Sequence, residues 1–415
     1  GFTMGMLTQG AGQYDALGLG DREESLGANI GAGASLDGDS VGLSALKEHL
    51  GDSLALYADV IRRPTFDPKE IERVRQIRLA GIRQEKTQPI GIALRLLPPM
   101  IYGAAHPYGI PFTGSGYEDS IAAISRDDML SFYRQWLRPD NATLMIVGDT
   151  TLKEITPLLE KDFGDWKAPA GALPALSIPD VALPTRQRVV LVDQPGSNQA
   201  NIMVGQPVPS TMDPKALEFN IANDVLGGEF SSRLNMNLRE DKHWAYGASS
   251  FSSNAKGQRP WIALAPVQID KTAQAFAEMQ REIGDFATGK APITDAEIAR
   301  AKADNVRSLP GAYETGAGVL GSIANIVRYH RPDDYIQTFK ARIDNMSDDA
   351  IRSTTGELVP GSLTWVVVGD LSKIEAPIRA LDIGDVSVVD ADGKPVVGKP
   401  AADKASKSVE PPAKK

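Results

Sequence analysis

The sequence of 415 residues contains no cysteine and only four histidines, at positions 49, 106, 243 and 330. The absence of cysteine excludes a disulfide framework, a thiolate nucleophile and a cysteine-ligated metal. None of the histidines lies within helical reach of another, so they do not form a metal-binding motif. Whatever chemistry this chain takes part in must therefore rest on other residue types.

Long apolar runs and basic blocks are also missing. Lys and Arg number 44 against 53 Asp and Glu, which gives a net charge of -9, so no surface is predicted to bind a nucleic-acid backbone. No run approaches the roughly 20 apolar residues of a membrane span, and the first residues, GFTMGMLTQGAG, do not have the pattern of a signal peptide. A cysteine-free, soluble chain with a Lys- and Pro-rich end predicts a bacterial periplasmic or cell-envelope protein.

The sequence contains an internal repeat. NATLMIVGDT and GSLTWVVVGDL both predict a strand and both end in VGD, with Asp149 and Asp370 lying 221 positions apart. At nearly the same offset, residues 27–46 and 247–266 each predict two strands joined by a Gly-containing turn. Amphipathic helices follow in both halves. We therefore predict an α+β fold of two tandem homologous units, each a mostly antiparallel sheet packed with helices.

Composition places the boundaries of these units. Four prolines between residues 169 and 184 predict an extended linker at 171–185, which separates a unit at 1–170 from a unit at 186–385. Residues 386–415 are rich in Lys, Pro, Ala and Asp, and we expect a disordered tail there.

The two halves are unequal. The second opens with two predicted strands, RQRVVLVDQ and NQANIMVGQ, and a helix that aligns Gly227 with Gly10. The first half has no counterpart of residues 185–217 or so. We interpret the first unit as truncated at its N-terminus; the alternative is that the first unit is simply smaller.

The segment RLNMNLREDKHWAYG places Arg239 and Tyr246 seven residues apart across the end of a predicted helix. Apolar residues at 230, 234 and 238 have helical spacing, and AYGASSF predicts a strand. The helix dipole alone favours a cation near a helix C-terminus, and tyrosine is common in strands. From the residues alone, the pair therefore has both a structural and a functional explanation.

Together, the tandem units, the VGD strand ends, the segment AAHPYGIPFTGS at 104–115 and LREDKHWAYG resemble the insulinase-like (pitrilysin, M16) zinc peptidases over about residues 1–385. Active members carry H-x-x-E-H on a helix, with a further glutamate ligand about 76 residues later. The resemblance places these positions on Gly1, Met4, Gly5 and Gly81. Glycine and a methionine thioether neither bind zinc well nor act as a base. The chain alone is therefore predicted to hold no metal and to be inactive.

The resemblance also implies a role for the pair. In this family a non-zinc half supplies an Arg and a Tyr near the substrate backbone, at positions that match Arg239 and Tyr246. The chain is then expected to bind extended peptides and to polarise the scissile carbonyl beside Zn²⁺ in a complementary unit carrying H-x-x-E-H, in the same polypeptide or a heterodimer. Two alternatives stay open: a non-catalytic scaffold or core subunit, and a peptide-binding, chaperone-like module.

Overall fold

The structure is a computed structural model that describes residues 1–396. Its strands form one isolated hairpin and one sheet of six strands in the order β5-β6-β4-β7-β3-β8. The strands are β1 (Asn29–Ala34), β2 (Asp39–Ser44), β3 (Arg188–Asp193), β4 (Gln199–Val208), β5 (Ser249–Ser252), β6 (Arg259–Gln268), β7 (Thr364–Gly369) and β8 (Asp385–Val389).

Helices surround both sets of strands, which confirms the predicted α+β class. The helices are α1 (Phe2–Met6), α2 (Ala16–Leu26), α3 (Leu50–Arg62), α4 (Pro68–Glu85), α5 (Pro89–Tyr102), α6 (Glu118–Ala123), α7 (Arg126–Trp136), α8 (Leu152–Phe163), α9 (Ala216–Asn223), α10 (Arg233–Asn235), α11 (Thr272–Ala287), α12 (Asp295–Arg307), α13 (Leu309–Ala312), α14 (Gly316–Arg328), α15 (Tyr335–Asn345), α16 (Asp348–Ser353) and α17 (Leu371–Arg379).

The large sheet of the second unit is mixed. Its strand β3 runs parallel to both β7 and β8, whereas β4 runs antiparallel to β6 and β7, and β5 antiparallel to β6. Central strands that are covered on both faces need continuous apolar sequence, and every residue of β7 is buried. One face packs against α9, α11 and α17 through a core that includes Trp261, Trp365 and Phe276.

The other face of this sheet is covered by α5, which belongs to the predicted first unit. Ile92, Leu97 and Ile101 of α5 form one apolar core with strand residues such as Met203 and Val366. The helix approaches closely at Gly205, where a Cβ would lie 3.1 Å from Leu97. Burial of this helix face therefore stabilises both units together.

The first unit has a smaller core of its own. Met4 and Met6 of α1, with Ile82 of α4 and Leu19 of α2, are buried against the β1–β2 hairpin. The predicted strand in NATLMIVGDT is wrong. Residues 142–149 form no strand, and Leu144 and Ile146 are exposed, because the strands that would pair with this segment have no counterpart among the described residues of the first unit.

The units are joined at the β5–β6 turn. Asp37, at the tip of the β1–β2 hairpin, accepts hydrogen bonds from the Tyr108 hydroxyl and, at 2.8 Å, from the Lys256 amide. The Tyr102 hydroxyl donates to the Gln258 carbonyl at 2.8 Å. His106, from the HPYG motif, is 2.9 Å from the Pro179 carbonyl of the predicted linker. The motif thus lies at the junction of hairpin, linker and second unit.

The division into 1–170, 171–185 and 186–385 stays a prediction. Strand β8 extends four residues past 385, so the start of the expected tail at 386 lies within regular structure. Residues 397–415 of that tail lie outside the described residues.

Candidate functional site

The segment that carries Arg239 is anchored in the core of the second unit. Helix α10 continues into a π-helical stretch at 236–241, and Leu234 and Leu238 are buried beneath it. The predicted helical character is therefore present, with a wider turn than apolar spacing alone indicates. The chain then reverses at His243, whose φ of 57° lies in the left-handed region.

The reversal brings Tyr246 back beside Arg239. The amides of Trp244 and Ala245 both donate to the Leu238 carbonyl, at 2.9 and 3.3 Å, and Ala245 bridges to Val267 of β6. Tyr246 is the next residue. A buried leucine carbonyl and a sheet contact thus fix where the exposed tyrosine emerges from the fold.

Arg239 and Tyr246 form a cluster with Phe230. The Arg239 guanidinium carbon lies 4.6 Å from the centroid of the Phe230 ring and 5.4 Å from that of Tyr246. Such cation–π contacts stabilise a guanidinium by about 0.5–1 kcal/mol at exposed sites. Tyr246 is 86% exposed and Phe230 63% exposed. The cluster therefore presents a held guanidinium and a free phenol to the surroundings, with Glu240 as a neighbouring counter-ion at 3.3 Å.

The sequence pattern assigned Phe230 to the apolar face of a helix with residues 234 and 238, whereas in the structure its side chain is exposed beside Arg239. Its contact with Arg239 depends on the chain reversal, which no local pattern encodes.

Two partly buried carboxyl groups of the second unit have shifted pKa values, those of Glu297 and Asp224. Arg233 at the start of α10 makes two charge-assisted hydrogen bonds to Glu297, at 2.8 and 2.7 Å, so it contacts α12 of its own unit. Burial by itself raises the pKa of Glu297, but the bonds from Arg233 and Thr294 outweigh it and lower the pKa to about 2. Burial raises the pKa of Asp224 to about 6, against an opposing hydrogen bond from Asn305.

The positions that the resemblance assigns to zinc lie at the N-cap of α1, within α1 and on α4, and their residues do not fit a metal ion. Met4 is buried in the core. A Cβ on Gly5 would lie 3.0 Å from the Arg78 guanidinium, which also donates to the Gly1 carbonyl at 3.1 Å. A Cβ on Gly81 would have no neighbouring atom within 4 Å. The cationic side chain of Arg78 thus lies beside Gly1 and Gly5, where it repels a metal cation.

Arg78 was also missed in the sequence. It precedes Gly81 by three residues, and residues at that spacing share one face of a helix. Among residues 1–396, no group of three His, Asp or Glu side chains is placed to hold a metal ion. In the same part of the chain, no helix combines the length and apolar character needed to cross a bilayer.

Comparisons with known proteins agree with the resemblance. A family model described as the Peptidase M16 inactive domain matches residues 123–305. The "Uncharacterized zinc protease YmxG" of Bacillus subtilis is 25% identical over 252 residues, which are 60% of this chain and 58% of that protein. The chain therefore spans somewhat more than half of this relative's length.

Solved structures show the same fold. The peptidase M16 inactive domain from Pseudomonas fluorescens superposes with a TM-score of 0.80 at 23% identity, over 89% of this chain and 87% of that one. The periplasmic protease PqqL from Escherichia coli superposes with a TM-score of 0.68 at 15% identity, over 97% of this chain but 47% of that one. The chain is thus similar to the inactive domain of the M16 peptidases over residues 123–305, and it shares the fold of the solved M16 structures.

Proposed function

We propose that this chain is the non-zinc half of an M16 zinc metalloendopeptidase, and that it binds extended peptides and polarises the scissile carbonyl. Hydrolysis would take place at the zinc site of a complementary M16 unit, in the same polypeptide or in a separate subunit. The observation that carries this proposal is the cluster in which Arg239 is held beside the exposed Tyr246.

The chemistry of the cluster suits a peptide carbonyl. A guanidinium presents several N–H donors in a fixed fork, and a phenol presents one O–H donor. The two rings that flank Arg239 restrict its side chain before substrate arrives, so little ordering remains to be done on binding. Donors that are already in place stabilise the negative charge that develops on a carbonyl oxygen during attack.

The lack of a fitting metal site in the described residues makes a complementary unit necessary to this proposal. The full-length PqqL chain, of which this chain covers 47%, illustrates how such a unit could be joined in one polypeptide. PqqL is a periplasmic protease, which supports, as part of the proposal, a periplasmic or cell-envelope location for this chain.

The test is to assemble the chain with a zinc-bearing M16 unit and to measure peptide turnover and bound zinc. We expect Arg239→Ala and Tyr246→Phe each to lower kcat by about 100- to 1000-fold, because each removes a donor to the carbonyl oxygen. Zinc content should stay unchanged. Arg134→Ala and Tyr313→Phe, outside the cluster, serve as matched controls and should retain full turnover.

Full turnover in both cluster variants would overturn the proposal and favour the second candidate, a non-catalytic scaffold. That candidate is favoured by the ion pair between Arg239 and Glu240, since the charge of Arg239 is already balanced when no substrate is bound. A scaffold role predicts that Arg239→Ala weakens assembly instead of turnover, which sedimentation of the complex would detect.

A further inference from the structure

A β-bulge lies at Tyr246 on the edge of the large sheet. Ala245 bridges to Val267 of β6. Ser249, at the start of β5, pairs with Leu264 of β6. Between these two pairs, three residues of the edge strand therefore lie opposite two residues of β6. A strand that carries one residue more than its partner bends at that point and loses part of the backbone pairing. The direction in which Tyr246 leaves the sheet thus depends on how the bulge is held.

The buried carboxamide of Asn235 holds this bulge. Its Oδ1 accepts a hydrogen bond from the Ala248 amide at 3.2 Å, and its Nδ2 donates to the Phe230 carbonyl at 2.7 Å. Asn235 is 4% exposed and Ala248 is also buried, so little water reaches the bond between them. Because an amide N–H only donates and a carbonyl only accepts, these two partners fix the orientation of the carboxamide.

Asn235 thereby connects the two sides of the Arg239 cluster. Phe230 supplies the ring that lies 4.6 Å from the Arg239 guanidinium carbon, and Ala248 is the last residue of the bulge that begins at Tyr246. A carboxamide suits this position, because a carboxylate has no donor for a carbonyl and an aliphatic side chain has no group for either partner. A bulge without this anchor could slip by one residue, which would move its side chains to the opposite faces of the sheet.

We propose that Asn235 is a positioning residue for the Arg239 cluster. Its carboxamide holds the Phe230 backbone and the bulge in one arrangement, so that the Arg239 guanidinium and the Tyr246 phenol face the same peptide carbonyl. Its contribution to hydrolysis rests on the proposed function, whereas its effect on the position of Tyr246 does not. A displacement of about 1 Å in a reacting group can slow catalysis by about 100-fold.

Gln206 provides a matched control in the same unit. Its Nε2 donates to the Glu357 carbonyl at 2.8 Å and its Oε1 accepts from the Val359 amide at 2.9 Å, so it also joins a backbone carbonyl and a backbone amide. Gln206 is 1% exposed, and it lies on β4, two strands away from β5. Loss of either carboxamide should therefore cost similar stability, but only the loss of Asn235 should disturb Tyr246.

Turnover is measured on the chain assembled with a zinc-bearing M16 unit. Asn235→Leu, which nearly keeps the size of the side chain, should lower kcat by about 10- to 100-fold and change KM by less than about threefold. Gln206→Met should keep full turnover at a comparable loss of melting temperature. If Asn235→Leu does not fold, Asn235→Ser takes its place, because a hydroxyl is too short to reach both partners. Unchanged kcat in the Asn235 variant, or losses of kcat in both variants that follow their losses of melting temperature, would overturn the proposal.

A fluorine spectrum of the chain alone tests the position of Tyr246 without the zinc unit. A fluorotyrosine incorporated at position 246 only reports on the surroundings of this ring, whose centroid lies 5.4 Å from the Arg239 guanidinium carbon. The Asn235 variant should shift or broaden the signal, and Gln206→Met should leave it in place. An unchanged signal in the Asn235 variant would overturn the proposal, whatever the turnover measurements show.

The two measurements distinguish the positioning role from the proposed function. Loss of kcat in Arg239→Ala together with full kcat in the Asn235 variant would sustain the proposed function and overturn the positioning role. Full kcat in both Arg239→Ala and Tyr246→Phe would overturn the proposed function, and the fluorine signal would then decide by itself whether Asn235 positions Tyr246.

Discussion

Residues 142–149 and 363–370 carry nearly the same pattern, ATLMIVGD and LTWVVVGD, and adopt opposite structures. In the second unit this pattern forms β7, which is wholly buried between β4 and β3. In the first unit it is extended and unpaired within the described residues, and no backbone N–H of 143–149 donates a hydrogen bond there. Leu144 and Ile146 are 47% and 41% exposed.

The difference shows that a strand is a property of the sheet around it. A pattern of β-branched and apolar residues supplies side chains that suit a half-buried or buried surface, but the backbone groups need neighbours to pair with. In the second unit, β3 and β4 supply those neighbours. The described part of the first unit contains no equivalent of either strand, and its hairpin remains two-stranded.

The largest expected effect concerns equivalent positions in the two segments. Ile146 and Val367 occupy the same place in the repeat, but Val367 is fully buried. Val367→Asp should lower the free energy of unfolding by about 4 kcal/mol or more, since it buries an unpaired charge. Ile146→Asp should change it by less than about 0.5 kcal/mol. Urea unfolding of both variants measures the difference, and similar losses would mean that 142–149 is buried in solution.

An intermediate effect concerns ion pairs of the two units. The pair of Arg233 and Glu297 is mostly buried, whereas that of Arg22 and Asp52 in the first unit is largely exposed. Arg233→Met should cost about 3 kcal/mol at pH 7, because it leaves a buried carboxylate without its partner. Arg22→Met should cost about 0.5 kcal/mol.

The pH dependence has a definite sign. Because the pKa of Glu297 is lowered to about 2 in the folded protein, its stabilising contribution is complete above the ordinary glutamate pKa and is lost as the pH falls towards 2. The difference between Arg233→Met and the wild type should therefore shrink between pH 5 and pH 3 in urea unfolding curves. A difference that stays constant over this interval would show that Arg233 acts through packing alone.

The smallest expected effect compares the two VGD aspartates. Asp370 caps α17 by accepting from the Ser372 amide at 3.2 Å and also accepts from Gly196, whereas Asp149 contacts the exposed Lys47. Hydrogen bonds from the Ser372 side chain and then from Lys373 lower the pKa of Asp370. Asp370→Ala should lower the melting temperature at pH 7, and less so in acid, while Asp149→Ala should leave it unchanged. Equal melting temperatures would contradict the comparison.

Elements with strong local signals could be predicted from the sequence. The acidic start and apolar spacing of α4 give its bounds closely, since Asp67 caps the helix and Pro68 begins it. The alternating and continuous apolar runs that became β3, β4, β6 and β7 were also correctly identified. These signals are carried by neighbouring residues, so no knowledge of the tertiary fold is needed to interpret them.

The features that escaped prediction all depend on distant parts of the chain. The π-helical turns around Arg239 have nearly the same apolar spacing as an α-helix. The hydrogen bond from Arg78 to the Gly1 carbonyl joins residues more than 70 positions apart. The resemblance indicated that Arg239 and Tyr246 lie together, but it did not indicate that Arg239 stacks on Phe230.

Helix α5 has a consequence for how the molecule can be divided. It lies before the predicted linker, yet its apolar face completes the core over β4 and β7. A fragment that begins at the linker would expose that face of the sheet to water and would aggregate through it. A protein nicked within 171–185, by contrast, keeps all its core contacts, so its two pieces would remain associated and could reassemble from separately produced chains. The chain could therefore be cut at the predicted linker, but the core that must fold as one piece is not divided there.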